Sequence, residues 1–271
     1  RRRMPALENG LVLRHIQVSR DMYELEFIAP GIAQECRPGQ FIHIRSALEN
    51  NPLLRRPLSL YDVDKKLGSI TLLYKLVGKG TNLLSRIRPK EYVDAMGPLG
   101  RGFSLLAPRK TALLVGGGVG IAPLVYLARV LQCQGCNVKV IHGVENRLEL
   151  VALPRLRQIG VEFVPATIDG SAGFKGLVTD LVVKKVSPHE IDFIYCCGPE
   201  PMMAKVSGFA RKNNIAAEIS LEEYMACGVG ACLGCARKMK SSDDEYKKIC
   251  KDGPVFSIDE VELLRNKKND R

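Results

Sequence analysis

Four cysteines near the carboxyl terminus, Cys227, Cys232, Cys235 and Cys250, are spaced C-x4-C-x2-C with the fourth further along the chain. Thiolates are soft ligands, and the first three can converge on one target only if the intervening chain turns tightly. Gly228, Gly230 and Gly234 meet that need: glycine takes positive φ and leaves backbone N–H groups free to approach sulfur. The spacing is that of a plant-type [2Fe–2S] centre whose last ligand arrives from a distant segment. A closed four-thiolate zinc site is the rival reading, although zinc knuckles usually present two short pairs, whereas Cys250 stands alone. The remaining cysteines point to less. Cys133 and Cys136 form a C-x2-C, but Gly135 falls at an expected helix end, so ordinary small apolar residues are expected there. Cys196 and Cys197 close an apolar run, and Cys197 gains interest from Gly198-Pro199 after it, since ligand crevices of α/β sheets lie at strand ends. Nine cysteines in all, an odd and unevenly distributed set, argue against a disulfide framework.

Glycine-rich turns supply a second kind of chemistry. Gly116-Gly-Gly-Val-Gly120 lies between an expected strand and an expected helix, the context in which backbone approach and a helix amino terminus can hold a phosphate. It is not the usual G-x-G-x-x-G, because Ile121 stands at the last glycine position. No acidic residue ends the following strand, the nearest being Glu145. A tight packing turn without ligand is the alternative. Upstream, in Leu54-Arg-Arg-Pro-Leu-Ser-Leu-Tyr61, Arg56 could grip a pyrophosphate with two parallel N–H donors and Ser59 could donate to a flavin or its ribityl chain. Val77-Gly-Lys-Gly-Thr81, before a short helical stretch, also suits an anion. Each of these two segments alone also reads as a surface turn; their coexistence points to two bound nucleotides.

The elements that must position these residues fall into three parts. Residues 1–107 hold short apolar runs at 15–18, 22–28, 40–44 and 69–74, several of them alternating, with turn signals at Pro30-Gly31, Pro38-Gly39 and 64–68. That pattern predicts a small antiparallel β-barrel. From 108 to 217 strands near 111–115, 138–142, 161–165 and 191–196 alternate with helices near 121–132, 149–159, 177–186 and 200–213, which predicts an α/β domain with a parallel sheet. Residues 218–271 are too few and too poor in apolar runs for a self-sufficient core, so a metal centre is attractive there.

Composition sets the outer limits. With 271 residues, 46% hydrophobic and 25% charged, the chain is globular, not disordered or fibrous. Its net charge of +11 invites nucleic acid, but the basic residues are scattered, aromatics are 6% and tryptophan is absent, so no nucleic-acid partner is expected. Residues 111–128 carry no charge and reach the length of a membrane span, yet four glycines and Pro123 interrupt them, and membrane insertion is not expected. Arg1-Arg2-Arg3 is not followed by an apolar stretch before Glu8, so no secretory signal is expected and the cytoplasm is the expected location.

With those residues in view, nearly the whole sequence resembles the electron-transfer subunits of NAD-dependent, class 1B dihydroorotate dehydrogenases, within the ferredoxin–NADP reductase-like superfamily. The most specific part runs from Ser220-Leu-Glu-Glu-Tyr-Met-Ala through the first three cysteines to Cys250-Lys-Asp-Gly-Pro-Val-Phe256. The resemblance implies FAD on Arg56, Pro57, Leu58 and Ser59, on Leu73, Tyr74 and Lys75, and on Gly78, Gly80 and Thr81. It implies nicotinamide contacts at Gly117, Gly118, Gly120, Cys197, Gly198 and Pro199, adenosine-side contacts at 145–147, and a [2Fe–2S] cluster on the four cysteines. NAD would be a substrate, and FAD and the cluster would be resident. Also implied is a partner, an FMN-containing catalytic subunit, with two copies of each chain in a heterotetramer. Electrons would pass from the orotate-side FMN through cluster and FAD to NAD⁺, in pyrimidine biosynthesis. The dihydroorotate base would belong to that partner, so no catalytic residue is expected here, and His15, His43, His142 and His189 read as surface or packing residues. Val229, Ala231 and Leu233, beside the cluster ligands, are expected to meet another chain. Two other readings stay open: a subunit of a sulfide dehydrogenase or NADPH:ferredoxin oxidoreductase, and a non-enzymatic ferredoxin-like electron carrier.

Overall fold

The structure is a computed structural model and describes residues 5–46, 51–240 and 245–263. Six antiparallel strands close a barrel in the order β1-β2-β5-β4-β3-β6: β1 (Ala6–Gln17), β2 (Met22–Ile28), β3 (Phe41–Ile44), β4 (Arg56–Asp64), β5 (Ser69–Lys75) and β6 (Tyr92–Leu99). Period-two alternation explains the barrel's inside. In β6, Val93, Ala95 and Leu99 are buried while Tyr92 faces out. Leu25, Phe27, Ile42, Ile44, Leu60, Ile70 and Leu72 fill the interior with no exposed surface. Pro30-Gly31, read from sequence as a turn, instead opens a helix, α1 (Pro30–Glu35). Proline fits the first turn of a helix, and the Glu8 carboxylate accepts the Ile32 N–H at 2.6 Å, meeting one of the donors that a helix start leaves open. A second short helix, α2 (Lys79–Leu84), follows β5.

The next unit is a parallel sheet in the order β10-β9-β8-β7-β11-β12: β7 (Thr111–Gly117), β8 (Asn137–Val144), β9 (Glu162–Thr167), β10 (Phe174–Lys175), β11 (Phe193–Cys197) and β12 (Ala216–Ser220). Helices α3 (Ala122–Cys133), α4 (Leu153–Ile159), α5 (Val178–Lys185) and α6 (Glu200–Lys212) cover it. The uncharged run 111–128 is thus a buried strand, a turn and most of α3; among the described residues no helix is long and apolar enough to cross a membrane. Beyond β12 come a small antiparallel pair, β13 (Ala236–Lys238) and β14 (Tyr246–Lys248), and then β15 (Val255–Ser257). β15 returns to pair antiparallel with β12, Val255 opposite Ser220, and becomes the seventh strand of the sheet.

Shared cores join the three parts. Tyr126 of α3 belongs to the barrel's apolar cluster, whereas Tyr61 and Leu73 of the barrel pack with Ala122 and Val125 of α3. Phe41 and Leu99 of the barrel share a cluster with Ile219, Cys235, Ile249 and Cys250. Ionic groups add to this contact: Arg155 of α4 donates to Asp62 at 2.8 Å and to Glu24 at 2.7 Å, and Arg129 of α3 donates to Asp62 at 2.8 Å. Arg155 also lies over the Tyr61 ring at 4.9 Å.

Candidate functional site

A cavity of about 490 Å³ opens where the three parts meet. The barrel contributes Arg56, Pro57, Leu58 and Ser59 from the start of β4, Leu73, Tyr74 and Lys75 from the end of β5, and Thr81 from α2. Neighbouring antiparallel strands, β4 beside β5, bring two segments distant in sequence to one wall. Gly80 has a visible reason. A Cβ there would lie 2.6 Å from Arg56 Cζ and 2.7 Å from Nη2, so its hydrogen is what lets the guanidinium lie against the helix start. Arg56 Nη1 donates to Leu54 O at 2.6 Å. Thr81 serves its own turn: its Oγ1 accepts the Val77 and Gly78 N–H groups at 2.9 and 3.2 Å. Tyr74 is fixed from behind. His15 Nδ1 donates to Ile87 O at 2.7 Å, which leaves Nε2 to accept the Tyr74 hydroxyl at 2.9 Å.

The parallel sheet places the second set at the carboxyl ends of adjacent strands β7 and β11, the position where open α/β sheets bind ligands. Gly117 packs against Pro199 and Met202, and a Cβ on Gly120 would lie 2.6 Å from Cys197 O and 2.7 Å from Gly198 N. Gly118, at φ +53°, has nothing within 4 Å of where a Cβ would be, so its surface is free for a ligand. His142, fully buried on β8, braces the loop: its Nε2 donates to Gly118 O at 2.9 Å. Burial lowers its pKa to about 4 against the pull of that carbonyl, which keeps the ring neutral. At the end of β8, Asn146 accepts the Leu148 N–H at 3.0 Å and caps a short turn. Cys197 itself is buried, with its thiol pushed well up by that burial. Cys133 is exposed and Cys136 buried, so the C-x2-C points apart.

The third wall was not read from the sequence. Phe41, Val119, Glu200 and the segment 221–225 line the cavity too, just ahead of Cys227. Tyr224 is 94% exposed at its rim. Arg237, nearly buried on β13, ties this segment down by ion pairs to Glu200 and, at 3.0 Å, to Glu223. The signal available in sequence was contiguity: 221–225 leads directly into Cys227.

The four cysteines lie just beyond. Cys227 Sγ accepts the N–H groups of Ala231 and Cys232 at 3.3 and 3.4 Å, and Cys235 Sγ accepts the Cys250 N–H at 3.4 Å. Gly228 and Gly230, at φ +69° and +82°, make the turn that aims those donors inward. Burial opposes ionisation of Cys227, but these N–H groups, with that of Val229 and the Cys232 thiol, outweigh it and lower its pKa to about 6. Cys250, buried and beside Cys235, is pushed up to about 12. Cys232 adjoins Cys227 and Cys235 adjoins Cys250, and Cys227 is near enough to Cys250 to help raise its pKa. Among the described residues no three His, Cys, Asp or Glu side chains are gathered closely enough to hold a metal ion as they stand. Residues, turn and donor set fit the iron–sulfur group. Val229 and Leu233 beside them are 48% and 60% exposed.

Comparison with known proteins agrees with this division. Residues 10–103 match the oxidoreductase FAD-binding domain, 114–208 the oxidoreductase NAD-binding domain, and 222–262 the iron–sulfur cluster binding domain of dihydroorotate dehydrogenase B. The chain is similar to the dihydroorotate dehydrogenase B (NAD(+)) electron transfer subunit of Desulforamulus reducens, 42% identical over 93% of this chain and 97% of that one. It is 40% identical to the subunit of the same name from a Geobacillus species, over 94% and 98%. Among solved structures, an NADH-dependent reduced ferredoxin–NADP oxidoreductase studied for flavin-based electron bifurcation superposes with a TM-score of 0.81 at 29% identity, covering 94% of this chain and 90% of that one. A Neisseria gonorrhoeae ferredoxin NADP⁺ reductase shares the fold, with a TM-score of 0.63 at 18% identity, over 76% of this chain and 91% of that one. The chain therefore belongs to the family of dihydroorotate dehydrogenase B (NAD(+)) electron transfer subunits, and it carries domains for FAD, for NAD and for an iron–sulfur cluster.

Proposed function

We propose that this chain takes electrons from a separate FMN-containing subunit that oxidises dihydroorotate, and delivers them through a [2Fe–2S] cluster and FAD to NAD⁺. The observation that carries the reading is a single cavity walled by the flavin motif, the glycine-loop end of the parallel sheet and the segment entering the cluster cysteines. A flavin exchanges one electron at a time with an iron–sulfur centre and a hydride with nicotinamide, which is the conversion this order of groups requires. The protein's share is holding and shielding. In this reading Arg56 pairs with the FAD pyrophosphate, Pro57, Leu58, Ser59, Leu73, Tyr74 and Lys75 line the flavin wall, and Gly78, Gly80 and Thr81 form the helix start beside it. Gly117, Gly118, Gly120, Cys197, Gly198 and Pro199 form the nicotinamide site, with His142 holding the loop. Cys227, Cys232, Cys235 and Cys250 hold the cluster, and the low pKa of Cys227 favours the thiolate that ligation needs. The units are 1–107 for FAD, 108–217 for NAD and 218–271 for the cluster. Two copies of each chain form the complex, in the cytoplasm, and the exposed Val229 and Leu233 face the partner.

Co-purification with the partner, followed by flavin, iron and labile-sulfide analysis, tests this. The isolated chain should reduce an artificial acceptor with NADH and leave dihydroorotate untouched; the complex should reduce NAD⁺ with dihydroorotate. Turnover of dihydroorotate by the chain alone would overturn the assignment. The 29% identical oxidoreductase structure favours one second reading, a ferredoxin–NADP-type subunit, which a different co-purifying chain would reveal.

A further inference from the structure

His43 lies where the barrel touches the cluster turn. It sits on β3, opposite Pro57 of the flavin motif, and its ring is 5.7 Å from that of Phe41, a cavity wall. The ring also lies against Gly228, the residue after Cys227: a Cβ there would be 2.6 Å from Cε1 and 2.7 Å from Nδ1. No substituent fits between this ring and the turn. The residue has no exposed surface, and neither ring nitrogen has a hydrogen-bond partner among the described residues. Burial, helped by the Arg55 guanidinium, holds the ring neutral, so it carries one N–H and one lone pair. A buried donor left unpaired is costly, and native proteins rarely leave one. His142, equally buried, gives its N–H to Gly118 O. His43 has no such carbonyl, and what adjoins it is the turn that carries Cys227.

We propose that His43 donates its ring N–H to a sulfur of the iron–sulfur centre and thereby raises the centre's reduction potential. The proposal rests on the ligand assignment above. Reduction adds negative charge that the sulfurs share, so an N–H aimed at one of them stabilises the reduced form more than the oxidised form. Gly228 then has two duties, the positive φ of the turn and the space for the ring.

The test uses the full chain after iron and labile sulfide have been measured. With ¹⁵N-histidine label and the cluster reduced, pulsed electron paramagnetic resonance should show a weak nitrogen coupling, absent from His43→Phe. In His43→Phe the equilibrium constant for one-electron reduction should fall about tenfold, which is ~59 mV, while His43→Gln, whose amide still donates, should keep most of it. A loaded His43→Phe protein with unchanged potential, or labelled wild type without coupling, overturns the proposal. So does a strong coupling, which would make His43 an iron ligand. Wild type without labile sulfide overturns the ligand assignment and this proposal with it, which separates the two failures. The labelled wild-type arm needs no substitution, so the proposal stays testable if a variant fails to load.

Discussion

Replacing Gly80 by alanine should weaken FAD binding while leaving the fold at least as stable. Gly80 lies inside α2 with no positive φ, where alanine is the better helix former by about 0.8–1 kcal/mol. Local backbone preference therefore favours the variant. Its added methyl, however, would lie 2.6 Å from Arg56 Cζ and 2.7 Å from Nη2. Arg56 Nε lies nearer still, and ordinary contacts begin near 3.5 Å, so the guanidinium must retreat by about 1 Å or more. Hydrogen bonds to an anion tolerate about half an ångström of such movement before they weaken steeply. Losing one charge-assisted bond costs about 2 kcal/mol, or about a thirtyfold rise in the Kd for FAD. The assay is titration of flavin-free protein with FAD by calorimetry, with circular dichroism and thermal melting as controls on folding. Arg56→Ala should cost a similar amount. The double variant should cost little more than either single one, because both act through the same clamp. A folded Gly80→Ala protein with unchanged Kd would refute the reasoning, and full additivity would show that Gly80 acts on flavin by another route.

Four further outcomes are expected. Cys232→Ser should lose iron and labile sulfide together and destabilise 221–254, yet keep NADH-to-dye activity; retained labile sulfide would remove Cys232 from the ligand set. Arg155→Met keeps the stem and loses two ion pairs, but Asp62 keeps Arg129 and Glu24 keeps Arg14, so the loss should be only about 1–2 kcal/mol, read as a melting point about 3 °C lower that added salt narrows. His142 has a folded pKa of about 4 against 6.5 unfolded, so its contribution is complete above pH 6.5 and is lost as pH falls toward 4; the span is worth about 3 kcal/mol, and His142→Gln should flatten the fall in denaturant midpoint across that window. Leu233→Asp should weaken partner binding in ultracentrifugation and spare NADH-to-dye activity, since aspartate accepts the φ of +61° at this position; equal loss of both would indicate internal packing.

Most of the site was legible because its chemistry is local. The first three cysteines, the glycine loop and the Arg56–Ser59 motif are each local in sequence, and alternation of strands and helices placed β7, β8, β9 and β11 within a few residues, while β10 and β12 were missed. What stayed hidden depends on pairing between distant segments. Strand β6 escaped because Gly97-Pro98 reads as a turn signal inside it, although Val93, Ala95 and Leu99 keep the period. Strand β15 has three residues and gains its identity only from β12 beside it. The 221–225 wall and the contact of His43 with Gly228 come from the barrel and sheet meeting, which no periodicity encodes. Pro30-Gly31 misled because the same dipeptide serves a turn or a helix start, and Glu8, far away in sequence, decides between them.

The antiparallel pairing of β12 with β15 makes everything from 221 to 254 the loop of one very long hairpin. Ser220 and Val255 face each other across the pair, close enough for a two-residue turn to join them. A deletion of that stretch would leave the seven-strand sheet whole and remove the cysteines as a unit. It would also strip Leu221, Glu222, Glu223, Tyr224 and Met225 from the cavity wall. The four cysteines and the cover of the cavity therefore share one hairpin loop, so a change that removes the first also opens the cavity to water and oxygen.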